Sequence, residues 1–480
     1  MVIKMNKKTI TDYLYIILSQ LSTIVIPILL MPYKARTLGP ENIGIYGFVF
    51  ANYQYLAFIS TLGISWYGRR EIASLKGNKE KQTKILYELI LLRLIITVIS
   101  SIIFYLVIGF NSKYSLYYLF LIPSILFSIF DLTWFYQGIE KFKKISIINT
   151  ICNILVAIAI LVFIKSPKDL NKYFIVTILF NIFPIVLLNI GTHKYLTKIK
   201  LNELKIKKHL KSCLLIFIPQ IFINLYTMFD KVMVGVFCKI ENVGFYDYSE
   251  KIVVLSLSLV SAISLIIIPK ISLENKKVNK KQIKNYINKA ITFGLLAGIP
   301  ITLGIYGVSN NLVNIFFGKD YLKMINLIKI LSISIIPIII TSIIGEGYLI
   351  STKQEKKFTI IIFIGAITNI LLNYILLQKI DVFGAAIATI ITEILVLIIE
   401  LPIILNLIDK KQIISKLTKY LVYGIIMYIG VYLIGKLGTN IYILIGQIIA
   451  GMLLYLTTMF ITRDEYLFMV LNKLKEKTGK

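Results

Sequence analysis

Charged side chains embedded in apolar runs carry most of the chemistry in this chain. Lys34, Arg36, Lys231 and Lys251 stand in or at the ends of long apolar stretches, with Asp230 beside Lys231 and Glu346 in a later stretch. An ionised group at the centre of a bilayer costs about 2.5–3.5 kcal/mol on insertion scales, so such residues are functional candidates. The four cations could pair with an anionic group of a bound solute. Asp230 or Glu346 could hold a coupling ion. Gln20, Asn52, Gln54, Asn224 and Tyr226 share these stretches and could hydrogen-bond a polar solute, although interhelical hydrogen bonding is the competing use. Snorkelling or structural pairing accounts for Lys329, Glu400 and Asp131.

Other chemistries find little support. Cys152, Cys213 and Cys238 form no CxxC pair, and His193 and His209 lie together in one basic loop, so no metal site is expected. Gly430–Leu437 imitates a phosphate-binding loop. It has Leu437 where Ser or Thr would hold magnesium, and it lies in an apolar run with no preceding strand. No cofactor and no enzymatic activity are expected, and no loop longer than about twenty residues exists to house a soluble catalytic domain.

The elements that must position these residues follow from composition. Of 480 residues 57% are hydrophobic and 16% charged, with a mean hydropathy of +0.80. One soluble core cannot hide so much apolar surface, whereas lipid solvates it. Runs long enough to cross a ~30 Å hydrocarbon layer as helices recur along the chain. They fall at 10–32, 43–65, 85–109, 114–136, 145–164, 171–191, 212–237, 245–268, 288–309, 324–350, 358–378, 383–405, 418–436 and 440–461. The chain therefore reads as an all-α polytopic membrane protein of about 14 transmembrane helices. The net charge of +29 does not indicate nucleic-acid binding, because the Lys and Arg residues cluster in short loops on alternate sides. That alternation places both termini in the cytoplasm.

Glu41-Asn42-Ile43-Gly44-Ile45-Tyr46 is echoed by Glu241-Asn242-Val243-Gly244-Phe245-Tyr246, each following a Pro-containing run and opening a new one. Six spans separate the copies, so both halves would cross the membrane in the same sense, with a cavity between them. The expected organisation is an N-terminal lobe over 1–200, a C-terminal lobe over 201–409, and two further helices with a basic tail over 410–480. The echo sets Lys34, Arg36, Lys231 and Lys251 near the interface of the lobes.

Met31-Pro32-Tyr33-Lys34-Ala35-Arg36-Thr37-Leu38-Gly39-Pro40-Glu41 with Gly44 and Tyr46 resembles the start of bacterial Wzx-type polysaccharide flippases. Gly63–Ala73, Asp131–Glu140, Asp230–Gly235 and Val243–Tyr246 extend the similarity over roughly residues 10–460. The resemblance implies a place in the superfamily that also holds MATE drug exporters and lipid II flippases, with two six-helix lobes around a central cavity plus two C-terminal helices. It implies undecaprenyl-diphosphate-linked oligosaccharide as substrate, moved outward across the bacterial plasma membrane by alternating access for O-antigen, capsule or a related polymer. Partners would be that glycolipid, the bilayer and other polysaccharide-assembly membrane proteins. A MATE-type antiporter for cationic drugs is the main rival and should line its cavity with carboxylates. A membrane-embedded glycan polymerase or ligase is the rival of another class.

Overall fold

The computed structural model describes residues 7–277 and 279–469. The first six residues, the tail after 469 and the side chain of Tyr226 lie outside them, so the expected sidedness of the termini does too. Among the described residues every regular element is helical. Eleven segments are helical, long and apolar enough to cross a membrane. The first, Leu14–Ser74, joins the predicted runs 10–32 and 43–65. Predicted runs seven and eight fall on α8 (Lys207–Phe237) and α9 (Glu241–Lys276), which lie beyond those eleven.

Contacts divide the chain into two compact units: Met1–Gly235 with Lys239–Gly244, and Val236–Cys238 with Phe245–Lys480. Both carry many exposed Leu, Ile, Val and Phe side chains, as expected of surfaces solvated by lipid.

The first unit contains α1 (Lys7–Thr61), α2 (Ile64–Ser74), α3 (Lys79–Phe104), α4 (Ser115–Ser128), α5 (Thr133–Gly138), α6 (Phe142–Phe163), α7 (Leu170–Asn189) and most of α8. α1 is broken at Gly39, whose φ of 79° lies in the left-handed region that a side chain disfavours. α1 packs on α6, α6 on α7, and α7 on α4. The unit's core gathers Tyr67, Ile72, Leu86, Leu89, Trp134, Phe135, Tyr136 and Phe217. The stretches 63–73 and 131–140 meet there. A Cβ on Gly68 would strike the Trp134 ring, and one on Gly138 would strike Ile72 at 2.7 Å. These two stretches therefore close the helix ends by packing.

The second unit contains the bulk of α9, then α10 (Lys280–Phe316), α11 (Lys323–Ser332), α12 (Ile335–Ser342), α13 (Glu355–Ile380), α14 (Phe383–Ile404), α15 (Lys410–Gly435) and α16 (Ile441–Ile461). A π-helical segment, Ile343–Ile350, continues α12. α13 and α14 form a tight hairpin, while α15 packs against both α10 and α16. A buried amide network ties that trio. Asn311 Nδ2 donates to Gln447 Oε1 at 2.9 Å, and Gln447 Nε2 donates to the Val431 carbonyl at 2.9 Å. The stretch that imitates a phosphate loop is thus plain helix, with Gly435 pressed against the Gln447 amide.

Candidate functional site

In the first unit the break at Gly39 sets the position of Lys34, one turn before it on α1. Two anchors hold this region. Tyr33 Oη donates to the Ile164 carbonyl at 2.6 Å, and Asn42 Nδ2 donates to the carbonyls of Leu38 and Pro167, both at 2.9 Å. Between them Lys34 is buried, 9% exposed, with Nζ donating to Tyr173 Oη at 3.4 Å and lying 5.7 Å from that ring's centre. Tyr173 starts an aromatic array. Its ring lies 4.5 Å from Tyr46, Tyr46 lies 5.2 Å from Phe174, and Phe174 stacks on Tyr117 at 4.5 Å. The array continues through Phe50 to Tyr53, whose hydroxyl bonds Ser124 Oγ at 2.8 Å. Tyr46 and Tyr117 are half-buried. An ammonium can pair with an anion, and phenols farther along the same array can hydrogen-bond hydroxyls of the same ligand.

A second group of predicted residues meets on α1 and α8, still within the first unit. Tyr55 Oη donates to the Asn224 carbonyl at 3.4 Å, and its ring lies 6.1 Å from Phe229. Asp230 next to Phe229 is buried and Lys231 half-buried. Gln54 is half-buried and its amide makes no hydrogen bond among the described residues. Other polar candidates are committed elsewhere. Asn52 Nδ2 donates to Tyr118 Oη at 3.1 Å and to the Phe48 carbonyl at 3.0 Å, and the Asn224 amide donates to the Gln220 carbonyl at 2.9 Å. Gln20 and Arg36 are exposed.

In the second unit, Lys251 Nζ forms an ion pair with Asp247 Oδ2 at 2.5 Å, four residues earlier on α9. Its charge is therefore partly neutralised on its own helix. Glu346 lies in the π-helical segment with an exposed side chain. Among the described residues no three His, Cys, Asp or Glu side chains converge as metal ligands would.

Residues 10–274 match the family described as polysaccharide biosynthesis protein, more than half of the chain. The chain belongs to that family. Residues 216–375 also match the MatE family. Among the chain's relatives, a putative O-antigen transporter of Escherichia coli strain K12 is 25% identical over 82% of this chain and 96% of its own. A putative O-antigen transporter of Shigella dysenteriae is 26% identical over 78% of this chain and 94% of its own. The fold is similar to that of a lipid II flippase in an inward closed conformation. The TM-score is 0.75 with 20% identity, covering 94% of this chain and 99% of that one. An inward-facing multidrug MATE transporter gives a TM-score of 0.63 with 13% identity, over 84% of this chain and 98% of that one. The family resemblance legible in the sequence and these matches agree.

The chain also contains a buried polar network that the sequence concealed. Glu88 on α3 is fully buried. Its Oε2 meets His209 Nε2 at 2.7 Å and accepts from Lys208 Nζ at 3.0 Å, while Oε1 accepts from the Lys205 backbone N–H at 2.7 Å. The other ring nitrogen of His209 meets Tyr67 Oη at 2.8 Å. The network fixes the linker before α8 to α2 and α3. The sequence alone reads His209 as part of a basic loop. Its burial follows from contacts more than a hundred residues away in sequence, and no local pattern signals them.

Proposed function

We propose that the protein is a flippase that moves a lipid-linked oligosaccharide from the cytoplasmic to the outer face of a bacterial plasma membrane. The carrier would be undecaprenyl diphosphate, and the product would feed O-antigen, capsule or a related surface polymer. The observation that carries this reading is Lys34, a buried cation on a kinked membrane helix, held against Tyr173 at the start of an aromatic array that runs through Tyr46 and Phe174 to Tyr117. A diphosphate can pair with the Lys34 ammonium, and the attached sugars supply hydroxyls for the phenols of the array.

The flippase would have fourteen spans, two six-helix lobes with a shared cavity, and both ends in the cytoplasm. Lys231 on α8 adds a second cation, and Gln54 on α1 is a candidate glycan contact. Asp230 and Glu346 are the carboxylates available to a coupling ion. The membrane potential alone can contribute. Two negative charges moving outward across ~100 mV, inside negative, gain roughly 4–5 kcal/mol. Any cation that travels with them subtracts from that.

The deciding experiment measures lipid-linked oligosaccharide on each leaflet in cells lacking the protein. Accumulation on the cytoplasmic leaflet, reversed by returning the gene, is the expected result. An unchanged leaflet distribution, with lost resistance to cationic drugs, would establish a MATE-type exporter instead.

A further inference from the structure

A lysine-lined cavity lies in the first unit, remote in sequence from Lys34. A cavity of about 890 Å³ opens between the turn that precedes α3, the first turns of α3 and the linker before α8. Lys81, Lys84, Lys198, Lys200, Lys205 and Lys208 line it, against two carboxylates, Glu80 and Glu203. Lys84 pairs with Glu203 at 3.5 Å, and Lys208 turns inward to the buried Glu88. Among the described residues Lys81, Lys198, Lys200 and Lys205 have no carboxylate within ion-pair distance. Four uncompensated ammonium groups converging on one cavity repel each other, and a multivalent anion would relieve that repulsion.

Three features define what the anion must be. The N-terminus of α3, at Lys79, adds the positive end of a 26-residue helix. The lining is lysine without arginine, which suits a compact, freely oriented phosphate better than a planar carboxylate fork. The depth is that of lipid headgroups. Tyr87, one turn beyond Lys84, is exposed and begins the lipid-facing side of α3 that continues through Leu94, Ile95 and Val98. Trp66 on the neighbouring α2 is 55% exposed with the Arg69 guanidinium 4.7 Å from its ring, an arrangement suited to the membrane–water boundary.

We propose that this lysine cavity is a phosphate-binding site, filled by the headgroup of an anionic phospholipid or by a soluble phosphate compound. It does not depend on the transport reading, because none of its lining residues belongs to the Lys34 or Lys231 groups. Occupancy would also bear on the buried network, since Lys208 lines the cavity and contacts Glu88.

The test uses purified full-length protein with three probes: dioctanoyl phosphatidylglycerol, dioctanoyl phosphatidylcholine and inorganic pyrophosphate. Binding is followed by native mass spectrometry and by thermal shift. The variant K81Q/K198Q/K200Q is compared with K356Q/K410Q/K411Q, which removes three exposed charges elsewhere. At about 1 kcal/mol per lysine, the first variant should bind roughly a hundredfold more weakly and the second like wild type. Should the triple variant fold poorly, K198Q alone should weaken binding about fivefold. A loss confined to phosphatidylglycerol identifies a lipid headgroup as the source, and a loss confined to pyrophosphate identifies a soluble phosphate. Equal binding by both triple variants, or no binding of either anion to wild type, overturns the proposal.

Discussion

Gly44 and Ile240 sit so close that any side chain at position 44 would collide with the Ile240 backbone carbonyl. The contact joins the two copies of the internal echo. Gly244, in the second copy, faces back on the first, and a Cβ there would lie 3.1 Å from the Gly44 nitrogen and 3.3 Å from the Pro40 carbonyl oxygen. Gly44→Ala should therefore cost more than Gly244→Ala, because a Cβ at position 44 would come within 2.0 Å of the Ile240 carbonyl oxygen, whereas at position 244 nothing lies nearer than 3.1 Å. Overpacking of this kind costs about 1–3 kcal/mol. Gly39→Ala meets no steric obstacle and pays only for a backbone conformation, φ 79° and ψ 168°, that is essentially confined to glycine, about 1–3 kcal/mol. Thermal melting of the detergent-solubilised variants should rank Gly44→Ala as the least stable of the three.

The grip on an anionic substrate should be uneven among the four sequence-predicted cations. Lys34→Ala removes a buried ammonium from an aromatic setting, whereas Lys251→Ala removes a half-exposed partner of Asp247. Lys251 is already committed to that carboxylate, so less of its charge is left for a substrate. Surface polysaccharide should fall at least tenfold in Lys34→Ala cells at normal membrane abundance, and no more than a few fold in Lys251→Ala cells. Equal export by both would move the anion site away from Lys34.

Helix type and order were legible because apolar runs of membrane length leave the backbone no other way to satisfy its hydrogen bonds. The boundary between runs 10–32 and 43–65 was legible as well, since the helix breaks at Gly39, between the two runs, where φ is 79°. Among the site residues, the pairing of Lys251 was readable from Asp247 four positions earlier, a spacing that puts both on one helix face. The commitment of Asn52 to Tyr118 and of Glu88 to His209 was not. Those partners lie 66 and 121 positions apart in sequence, and only tertiary packing brings them together. The stretches 63–73 and 131–140, which carry the family resemblance most densely, pack against each other instead of lining the Lys34 site.

Glu88 gives a prediction about the linker. A carboxylate with no solvent contact depends on His209, Lys208 and the Lys205 amide together. Removing one partner of a buried charged group costs about 3–5 kcal/mol, largely because the remaining charge stays buried. His209→Ala should therefore destabilise more than Glu88→Gln, which removes the charge itself. Limited trypsin digestion of inverted membrane vesicles should read this directly. Cleavage at the lysines between 194 and 208 should be slow in wild type, faster in Glu88→Gln and fastest in His209→Ala. Identical digestion of all three would mean that the network does not hold the linker.

Cys238 offers a test of both electrostatics and sidedness. Cys152 and Cys213 are buried, while Cys238 is half-buried just past the end of α8. Burial pushes its thiol up to about 12, and a hydrogen bond to the neighbouring Asp381 carboxylate reinforces the shift. Burial also works against the charge on Asp381, but Lys323 Nζ at 2.5 Å and the thiol hold that carboxyl below its usual range. The ionised Asp381 that results disfavours a thiolate beside it. Only the thiolate reacts with maleimides. Labelling at pH 7 should thus be far slower than for an ordinary cysteine, and should rise about tenfold per pH unit, since the whole working range lies below the thiol's pKa. Asp381→Asn removes the opposing charge and should speed labelling at a fixed pH. On the proposed topology of fourteen spans with cytoplasmic termini, Cys238 would face outward, and a membrane-impermeant maleimide should then reach it in intact cells of the Asp381→Asn variant. Labelling that appears only after the cells are opened would place Cys238 on the cytoplasmic side and invert the proposed topology at α8.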